Sequence, residues 1–303
     1  MKLAFLYTPQ GSQQVGMGKD LYDNIDSIKH VFDTANQYLN YDLLDIMFFD
    51  ESKLNSTRYV QTALFTFQVA ITDYLKDKGI ISSGSLGLSL VEYPALYDRG
   101  VFDFYTGLQC VEHRAFFMDQ ASQSQEGQMA AVKSDKATVK KLTQALSDVY
   151  LANHNSDNQC VISGSKEGIK NAQEKGPDFG IKRLRILNTS GAFHSPFMED
   201  AKKNFTTYLN LIKLNKPTPD LYLNTTGKKY SNENIQLQMA NHITHPVQFH
   251  EALTAMLDEG YDTFVEIGPK PTLTTFVKKI SSEVKTMHIN NMDSLKETLK
   301  ELK

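Results

Sequence analysis

The chain has 303 residues, of which 41% are hydrophobic and 22% are charged, as in ordinary globular proteins and unlike disordered, collagen-like or membrane proteins. At roughly 150 residues per domain, this length predicts two structural units or one large domain with an insertion. The formal net charge of −3 excludes the overall basic field of nucleic-acid and anionic-lipid binders, so an acidic partner would need a local basic patch.

The cysteine content and the apolar runs bear on the compartment. Cys110 and Cys160 are the only cysteines, which excludes a disulfide scaffold and a cysteine-based zinc or iron–sulfur site. The apolar run at residues 3–7 is shorter than a signal-peptide core of roughly 7–15 residues. The densest apolar stretch, residues 63–75, is interrupted by polar side chains and falls short of the ~18 residues of a membrane span. We therefore predict a cytoplasmic protein with no membrane segment.

The first elements alternate between strand and helix. Residues 2–7 read as a buried strand, residues 8–18 as a turn rich in glycine and glutamine, and residues 19–39 as a helix. A second helix is predicted at residues 55–74. A short strand at residues 79–89 then leads into another helix. This alternation is typical of an α/β unit.

The pattern changes at Gly127 and returns after Pro196. The predicted strands of the middle part are residues 129–132, 149–153, 160–163 and 183–187, and its predicted helices are residues 136–147 and 166–174. That order, β-α-β-β-α-β, is the ferredoxin-like arrangement. The last part has predicted helices at residues 196–212, 248–257 and 271–280 and strands at residues 221–224 and 263–267. A small unit is therefore predicted to be inserted into a larger α/β unit.

A possible nucleophile lies in the segment Gly-Leu-Ser-Leu-Val that is centred on Ser89. A serine on a sharp strand-to-helix turn is exposed above the sheet, and the N–H of the next residue points to where an oxyanion would form. The usual pattern is G-x-S-x-G, and here Val91 replaces the last glycine. The alternative is that Ser89 only caps a helix N-terminus.

A serine nucleophile needs a base, and the chain has eight histidines. His194 is the candidate, because it lies in a turn of small residues just before a predicted helix, where an imidazole can project into a cleft. Three other histidines, His242, His245 and His250, cluster in the sequence without the H-E-x-x-H spacing of a zinc site. We interpret those three as surface or capping residues.

Arginine is scarce, and Arg114 stands out because it precedes the apolar residues 115–118 in a helical stretch. A buried guanidinium needs a planar anionic partner such as a carboxylate. The partner could be an internal Asp or Glu, in which case Arg114 would be structural. The glycine turn at residues 10–13 has neither the G-x-G-x-x-G spacing nor a G-K-[ST] ending, so it does not predict a nucleotide site.

Taken in order, the segments resemble the malonyl-CoA:acyl-carrier-protein transacylase family over nearly the whole chain. The family's opening P-G-Q-G-S-Q, its G-H-S-L-G-E-Y, its R-x-x-x-M and its E-I-G-P all have counterparts here. The matching segments are residues 8–18, 54–64, 87–96, 114–118, 127–132, 153–164, 193–196, 245–249 and 266–269.

The resemblance implies a two-part α/β fold with the active site in the cleft between the parts. An α/β-hydrolase-like large subdomain would comprise residues 1–125 and 192–303. A ferredoxin-like small subdomain, residues 126–191, would be inserted into it. This division agrees with the pattern of predicted elements.

The resemblance also implies roles for single residues. Ser89 would attack the thioester of malonyl-CoA and His194 would take its proton, giving a malonyl-enzyme from which a carrier protein's phosphopantetheine thiol takes the group in a ping-pong reaction. The N–H groups of Gln10 and Leu90 would form the oxyanion hole. Arg114 would bind the malonyl carboxylate.

Further positions follow from the same resemblance. Substrate contacts are implied for Met118, for Phe193, whose type is that of malonyl-selective members, and for a loop with Asn153 and Asn155. The backbone carbonyl of His242 would orient the catalytic histidine. The reaction requires no metal, nucleotide or redox cofactor, since exchange between thioesters through an ester is nearly balanced in free energy.

The expected partners are malonyl-CoA and a holo acyl carrier protein of fatty-acid or polyketide synthesis, with no nucleic acid or membrane, and the chain is expected to be a monomer. Docking of the acidic carrier would need a local basic surface, for which Lys182, Arg183 and Arg185 beside the inserted segment are the candidates.

Departures from the family motifs lie near the nucleophile. Leu88 replaces a histidine, Val91 a glycine, and Thr8-Pro9 a Pro-Gly pair, while Pro94 removes an N–H early in a helix. They leave an alternative open, namely a catalytically impaired member that acts as a carrier-protein binding module or slow acyl hydrolase. An unrelated serine hydrolase is disfavoured, because Arg114 would then have no role.

Overall fold

The computed structural model describes residues 1–302, and they divide into two compact units. The first unit comprises residues 1–115, 214–222 and 254–302, and the second unit comprises Phe116–Lys213 and Leu223–Leu253. The segment predicted to be inserted, residues 126–191, lies within the second unit, which also takes in residues on both sides of it. The predicted subdomain bounds stay a prediction.

The described residues form the following elements in chain order. The strands are β1 (Leu3–Tyr7), β2 (Gly84–Gly87), β3 (Gly127–Val132), β4 (Val149–Ser156), β5 (Gln159–Ser165), β6 (Leu184–Ile186), β7 (Tyr222–Leu223), β8 (Lys228–Lys229), β9 (Thr263–Ile267) and β10 (Lys285–Ile289). The helices are α1 (Lys19–Asn24), α2 (Asp26–Tyr38), α3 (Leu43–Phe48), α4 (Glu51–Leu54), α5 (Thr57–Asp77), α6 (Glu92–Asp98), α7 (Phe104–Ser124), α8 (Lys136–Gln144), α9 (Lys166–Lys175), α10 (Glu199–Leu209), α11 (Ile235–Asn241), α12 (Phe249–Asp258), α13 (Leu273–Ile280) and α14 (Met292–Leu302). Short 3-10 turns lie at Ser89–Val91, Gly176–Phe179 and Pro196–Met198.

The first unit is built on a parallel four-stranded sheet with strand order β10-β9-β1-β2. Every residue of β1 and β9 is buried, as expected for strands covered on both faces. Tyr7 is paired with Gly87 on one side and with Ile267 on the other. The loops that follow β1, β2 and β9 therefore leave the same edge of the sheet, the edge where α/β proteins bind their ligands.

Helix α5 packs against α2, α3, α4 and α6 in the first unit. Its 21 residues begin after Ser56, whose side chain accepts a hydrogen bond from the Arg58 N–H at 3.3 Å. Most of its side chains are buried, including Gln61 and Gln68. Within residues 1–302, no helix combines the length and the apolar character needed to cross a membrane.

The second unit contains an antiparallel four-stranded sheet with strand order β4-β5-β3-β6. Together with α8 and α9 this confirms the predicted β-α-β-β-α-β arrangement. The core residues recur at every second strand position and at three-residue helix spacing, as amphipathic elements require. They are Ala130, Val132, Val139, Leu142, Val149, Leu151, Cys160, Ile162, Ile169, Ala172 and Ile181.

Some predicted elements are wrong in extent. The single helix expected at residues 19–39 is two helices, because Ile25 is extended (φ −132°) and its N–H ends α1 at the Leu21 carbonyl. The first residue of α2, Asp26, is acidic and favours a new helix start. Asn153 and Asn155 lie on strand β4 and not in a loop.

Candidate active site

Ser89 lies on a sharp turn between β2 and α6. Its φ of 62° is in the left-handed region, where non-glycine residues are strained and are often functional. The turn is tight because a Cβ on Gly87 would lie 1.8 Å from the Val91 carbonyl oxygen. Strand, strained serine and helix in succession are the backbone of a nucleophile elbow.

The departures at Val91 and Pro94 do not disturb this turn. Val91 is fully buried and has φ −82° and ψ 12°, outside the left-handed region in which glycine is favoured. Pro94 is the third residue of α6, and a helix uses none of its first N–H groups in its own hydrogen bonds. The elbow therefore forms without its second glycine.

Gln10 lies in the loop that follows β1, and Leu90 follows Ser89. Tyr7 and Gly87, the last residues of the adjacent strands β1 and β2, are paired, so the two loops begin side by side. The turn around Gln10 is closed by hydrogen bonds to the Pro9 carbonyl from the Ser12 N–H at 3.3 Å and the Ser12 hydroxyl at 2.7 Å. The Gly11 N–H binds Gln13 Oε1 at 2.7 Å. The loop with Gln10 is thus held in one conformation beside the elbow.

Arg114 is buried in the first unit with only 1% of its surface exposed. Its Nη1 donates to Gln61 Oε1 at 2.5 Å, and its Cζ lies 5.7 Å from the centre of the Tyr93 ring. Among residues 1–302, Nε and Nη2 have no hydrogen-bond partner. Burial lowers the pKa of Arg114, against the raising effect of Tyr93 and Glu92. Two guanidinium nitrogens that are buried without hydrogen-bond partners are costly unless an anion binds them.

His194 lies in the second unit, in the turn before Pro196–Met198, and is 3% exposed. Its φ is 57°. Its Nδ1 lies 2.8 Å from the carbonyl oxygen of His242. Because a carbonyl can only accept, Nδ1 carries the proton and Nε2 is the basic nitrogen.

Small side chains and one hydroxyl hold the turn that carries His194. The Ser195 hydroxyl donates to the Ala192 carbonyl at 2.6 Å and accepts the Phe197 N–H at 3.3 Å. Gly191 packs against Ser122, where a Cβ would lie 2.2 Å from the hydroxyl oxygen. The segment 191–197 is therefore fixed by local contacts of the second unit.

The remaining predicted site residues lie in the second unit. Met118, Phe193, Asn153 and Asn155 are all buried, and Asn155 Oδ1 is without a hydrogen-bond partner within residues 1–302. Lys182, Arg183 and Arg185 are exposed at and before the edge strand β6.

The three clustered histidines fit the interpretation as surface or capping residues only in part. His245 is exposed on a turn, and His242 ends α11 but is completely buried. His250 is half-buried and pairs with Asp157 at 3.0 Å. For His242 the interpretation was incomplete, because its buried carbonyl contacts His194.

Gln61 binds Arg114 across 53 positions of sequence, a contact that the sequence pattern does not predict. The sequence signal that could have indicated this contact is the position of a glutamine among the apolar residues of α5. The contacts of the Thr8 and Ser12 hydroxyls are likewise not predicted by the sequence pattern.

Comparisons with known proteins show the family to which the chain belongs. The family model described as acyl transferase domain matches residues 4–295. The chain belongs to that family. It is 33% identical to the malonyl CoA-acyl carrier protein transacylase of Bacillus subtilis, over 100% of this chain and 98% of that protein.

Solved structures of this acyl transferase family are also similar. The malonyl CoA-acyl carrier protein transacylase of Clostridium perfringens superposes with a TM-score of 0.95 at 34% identity, covering 100% of this chain and 97% of that one. A malonyl-transacylase in complex with its type II PKS acyl-carrier protein has a TM-score of 0.94 at 28% identity, covering 99% and 100%. The resemblance to malonyl-CoA:acyl-carrier-protein transacylases and the predicted fold class are confirmed.

Proposed function

We propose that this chain transfers the malonyl group from malonyl-CoA to the phosphopantetheine thiol of an acyl carrier protein. The family match and the full-length similarity to malonyl CoA-acyl carrier protein transacylases support this function. They do not support the alternative of an impaired member that only binds carrier protein or hydrolyses acyl groups slowly. The negative φ of Val91 also shows that the turn does not require a glycine at this position.

In the first half-reaction, Ser89 Oγ attacks the thioester carbonyl while Nε2 of His194 takes the hydroxyl proton. The C–S bond to CoA breaks, and the sulfur leaves with the proton that His194 returns. The product is a malonyl ester on Ser89. The Nδ1 hydrogen bond to the His242 carbonyl keeps the imidazole in the tautomer that this step requires.

In the second half-reaction, the carrier thiol gives its proton to His194 and attacks the ester carbonyl. The ester bond breaks and Ser89 recovers a proton from His194. Both half-reactions pass through a tetrahedral intermediate whose oxyanion is bound by the N–H groups of Gln10 and Leu90. Thioester is exchanged for thioester, so the reaction needs no metal, nucleotide or redox cofactor.

The observation that carries the substrate assignment is the buried guanidinium of Arg114. Its Nε and Nη2 lack partners within residues 1–302, and they form the planar pair of donors that a carboxylate accepts in a bidentate contact. The hydrogen-bond partner of Arg114 is the neutral amide of Gln61, whereas Glu92 acts on the guanidinium only through its charge. We assign the open donors to the malonyl carboxylate.

The other substrate contacts are proposed for Met118, Phe193, Asn153 and Asn155, which are buried and include the open Asn155 Oδ1. For the carrier protein, we propose docking on the exposed basic residues before and on β6. They are Lys182, Arg183 and Arg185. The protein is proposed to act in the cytoplasm as a monomer.

Intact-mass measurement tests the proposed function. Incubation with malonyl-CoA should add one malonyl group, peptide mapping should place it on Ser89, and holo carrier protein should remove it. Ser89→Ala should take up no label. A label that persists in that variant, or a parent that stays unlabelled, would refute the assignment.

Arg114→Ala tests the substrate class. It leaves the malonyl carboxylate without its partner and should raise the barrier for malonyl transfer by about 2–5 kcal/mol. Acetyl transfer should change little, because acetyl has no carboxylate. Equal losses for both substrates would show that Arg114 is structural.

A further inference from the structure

The chain departs from the family's opening motif at Thr8 and Pro9, and the contacts of this loop suggest what the departure does. Thr8 is completely buried, and all of its polar groups are bound. Its N–H donates to the Ile267 carbonyl at 3.1 Å, and its hydroxyl lies 3.0 Å from Glu266 Oε1. Its carbonyl accepts Gln68 Nε2 at 2.8 Å.

Glu266 anchors this arrangement. Its carboxylate is completely buried and accepts the backbone N–H groups of Thr272, Leu273 and Thr274, each at 2.8 Å. It also accepts the hydroxyl of Thr274 at 2.8 Å. A buried carboxylate with this many donors cannot turn without breaking several hydrogen bonds. The Thr8 hydroxyl is therefore attached to a rigid group of the first unit.

Pro9 connects Thr8 to Gln10 and restricts the conformation of the backbone between them. The ring of Pro9 fixes its own φ and restricts Thr8 to extended conformations. The Pro9 carbonyl is held by both the N–H and the hydroxyl of Ser12, which is 4% exposed. In a planar trans peptide, the carbonyl of one residue and the N–H of the next point in opposite directions. Binding the Pro9 carbonyl therefore fixes the direction of the Gln10 N–H.

We propose that Ser12 and Thr8 are positioning residues that aim the Gln10 N–H at the oxyanion. Ser12 acts directly on the Pro9–Gln10 peptide, and Thr8 acts by tying the start of the loop to Glu266. The inference rests on the proposed function, in which Gln10 is an oxyanion donor. Thr8 thus supplies through a hydrogen bond the stiffness that the family's proline supplies through its ring.

The test compares two threonines that donate to the same carboxylate. Thr8→Val and Thr274→Val each remove one hydroxyl from Glu266, but only Thr8 is next to the Pro9–Gln10 peptide. Ser12→Ala removes the hydroxyl on the Pro9 carbonyl. Thr8→Ser keeps a hydroxyl and serves as the conservative variant.

Single-turnover acylation of Ser89 by malonyl-CoA is followed by intact mass, with thermal unfolding of each variant as the measure of stability. Ser12→Ala and Thr8→Val should slow acylation about 10-fold, less than the roughly 10²–10³-fold loss expected when an oxyanion donor is removed outright. Thr8→Ser should recover the parent rate. Thr274→Val should lower the Tm about as much as Thr8→Val and leave the acylation rate unchanged.

Affinity for malonyl-CoA, measured in a Ser89→Ala background, should be the same with and without Thr8→Val, because an oxyanion donor acts on the transition state. Equal slowing of acylation by Thr8→Val and Thr274→Val would overturn the inference, and so would a rate loss that weaker binding of malonyl-CoA explains. In either case the proposed function would stand, provided that the parent protein is acylated on Ser89. A parent that is not acylated on Ser89 would refute both.

Discussion

Ser89 in the first unit and His194 in the second have nearly the same unusual backbone, with φ of 62° and 57°, but different contacts hold them. The Ser89 turn is closed by backbone against backbone, since Gly87 lies directly on the Val91 carbonyl. The His194 turn is closed by side-chain hydrogen bonds, from Ser195 to Ala192 and from the imidazole itself to the His242 carbonyl.

Each left-handed non-glycine residue costs of order 1–3 kcal/mol, which its surroundings must offset. Where backbone contacts offset the cost, an added atom meets a main-chain group that cannot move aside. Where side-chain contacts offset the cost, the neighbouring side chains can rotate to make room. The two turns should therefore respond differently to substitution, although both place a reactive side chain.

The largest expected effect is at Ser89. Ser89→Gly and Ser89→Ala should both abolish malonyl labelling, because neither has a hydroxyl. Glycine accepts a φ of 62° without steric cost, so the free energy of unfolding of Ser89→Gly should exceed that of Ser89→Ala by about 1 kcal/mol, and Ser89→Gly should unfold at the higher temperature. Mass spectrometry and thermal unfolding check the two parts. A glycine variant that is the less stable of the two would mean that the elbow stores no strain.

His194 allows the corresponding experiment in the second unit. His194→Ala and His194→Asn both remove the base and should slow malonyl transfer by roughly 10²–10⁴-fold. Asparagine tolerates the left-handed region better than alanine, so His194→Asn should be the more stable variant at equal activity. Steady-state transfer rates and urea unfolding measure these quantities, and an unchanged rate in both variants would remove His194 from the mechanism.

Two glycine substitutions test the difference between the turns directly. Gly87→Ala forces a Cβ to within 1.8 Å of the Val91 carbonyl oxygen, whereas Gly191→Ala meets the Ser122 hydroxyl at 2.2 Å. The hydroxyl can rotate away and the backbone cannot. We expect a loss of about 3 kcal/mol for Gly87→Ala and about 1 kcal/mol for Gly191→Ala in the free energy of unfolding. Equal losses in urea titrations would contradict the distinction.

The sequence predicts those features that depend on local pattern. Continuous apolar runs identify β1 and β9, and the order of strands and helices identifies the ferredoxin-like sheet. Ser89, His194 and Arg114 could be selected because each is an unusual residue in a short, characteristic segment. The tautomer of His194 could not be predicted from residues alone, since it depends on a carbonyl 48 positions away.

What the sequence does not reveal depends on packing between distant segments. Thr8 meets Glu266 across 258 positions, and no periodicity signals such a pair. The break at Ile25 has neither glycine nor proline to mark it. Val91 was expected to disturb the elbow because the motif has glycine there, but its observed φ accommodates a side chain.

The smallest expected effect is on the stability of the segment 242–248, which begins with His242, the acceptor of the His194 hydrogen bond. Residues 242–248 pack on β4, where the Val247 N–H binds the Ala152 carbonyl and the His154 N–H binds the Val247 carbonyl, both at 2.8 Å. Glu251 follows this segment and accepts His154 Nδ1 at 2.9 Å, and it also pairs with Lys136. Burial raises the pKa of Glu251, but the hydrogen bonds from His154 and Lys136 outweigh it and lower the pKa to about 2.

A carboxyl whose pKa is lowered on folding stabilises the protein above its ordinary pKa near 4.5 and loses that contribution as the pH falls toward 2. Because the Glu251 side chain is 33% exposed, solvent screening reduces the contribution to about 1 kcal/mol. Urea unfolding should therefore show Glu251→Gln to be less stable than the parent at pH 7, with the difference shrinking below pH 4.5. Glu301→Gln is the control, since Glu301 pairs with Lys285 on the surface and should change nothing measurable. A constant difference for Glu251→Gln at all pH values would mean that the glutamate acts through packing and not through its charge.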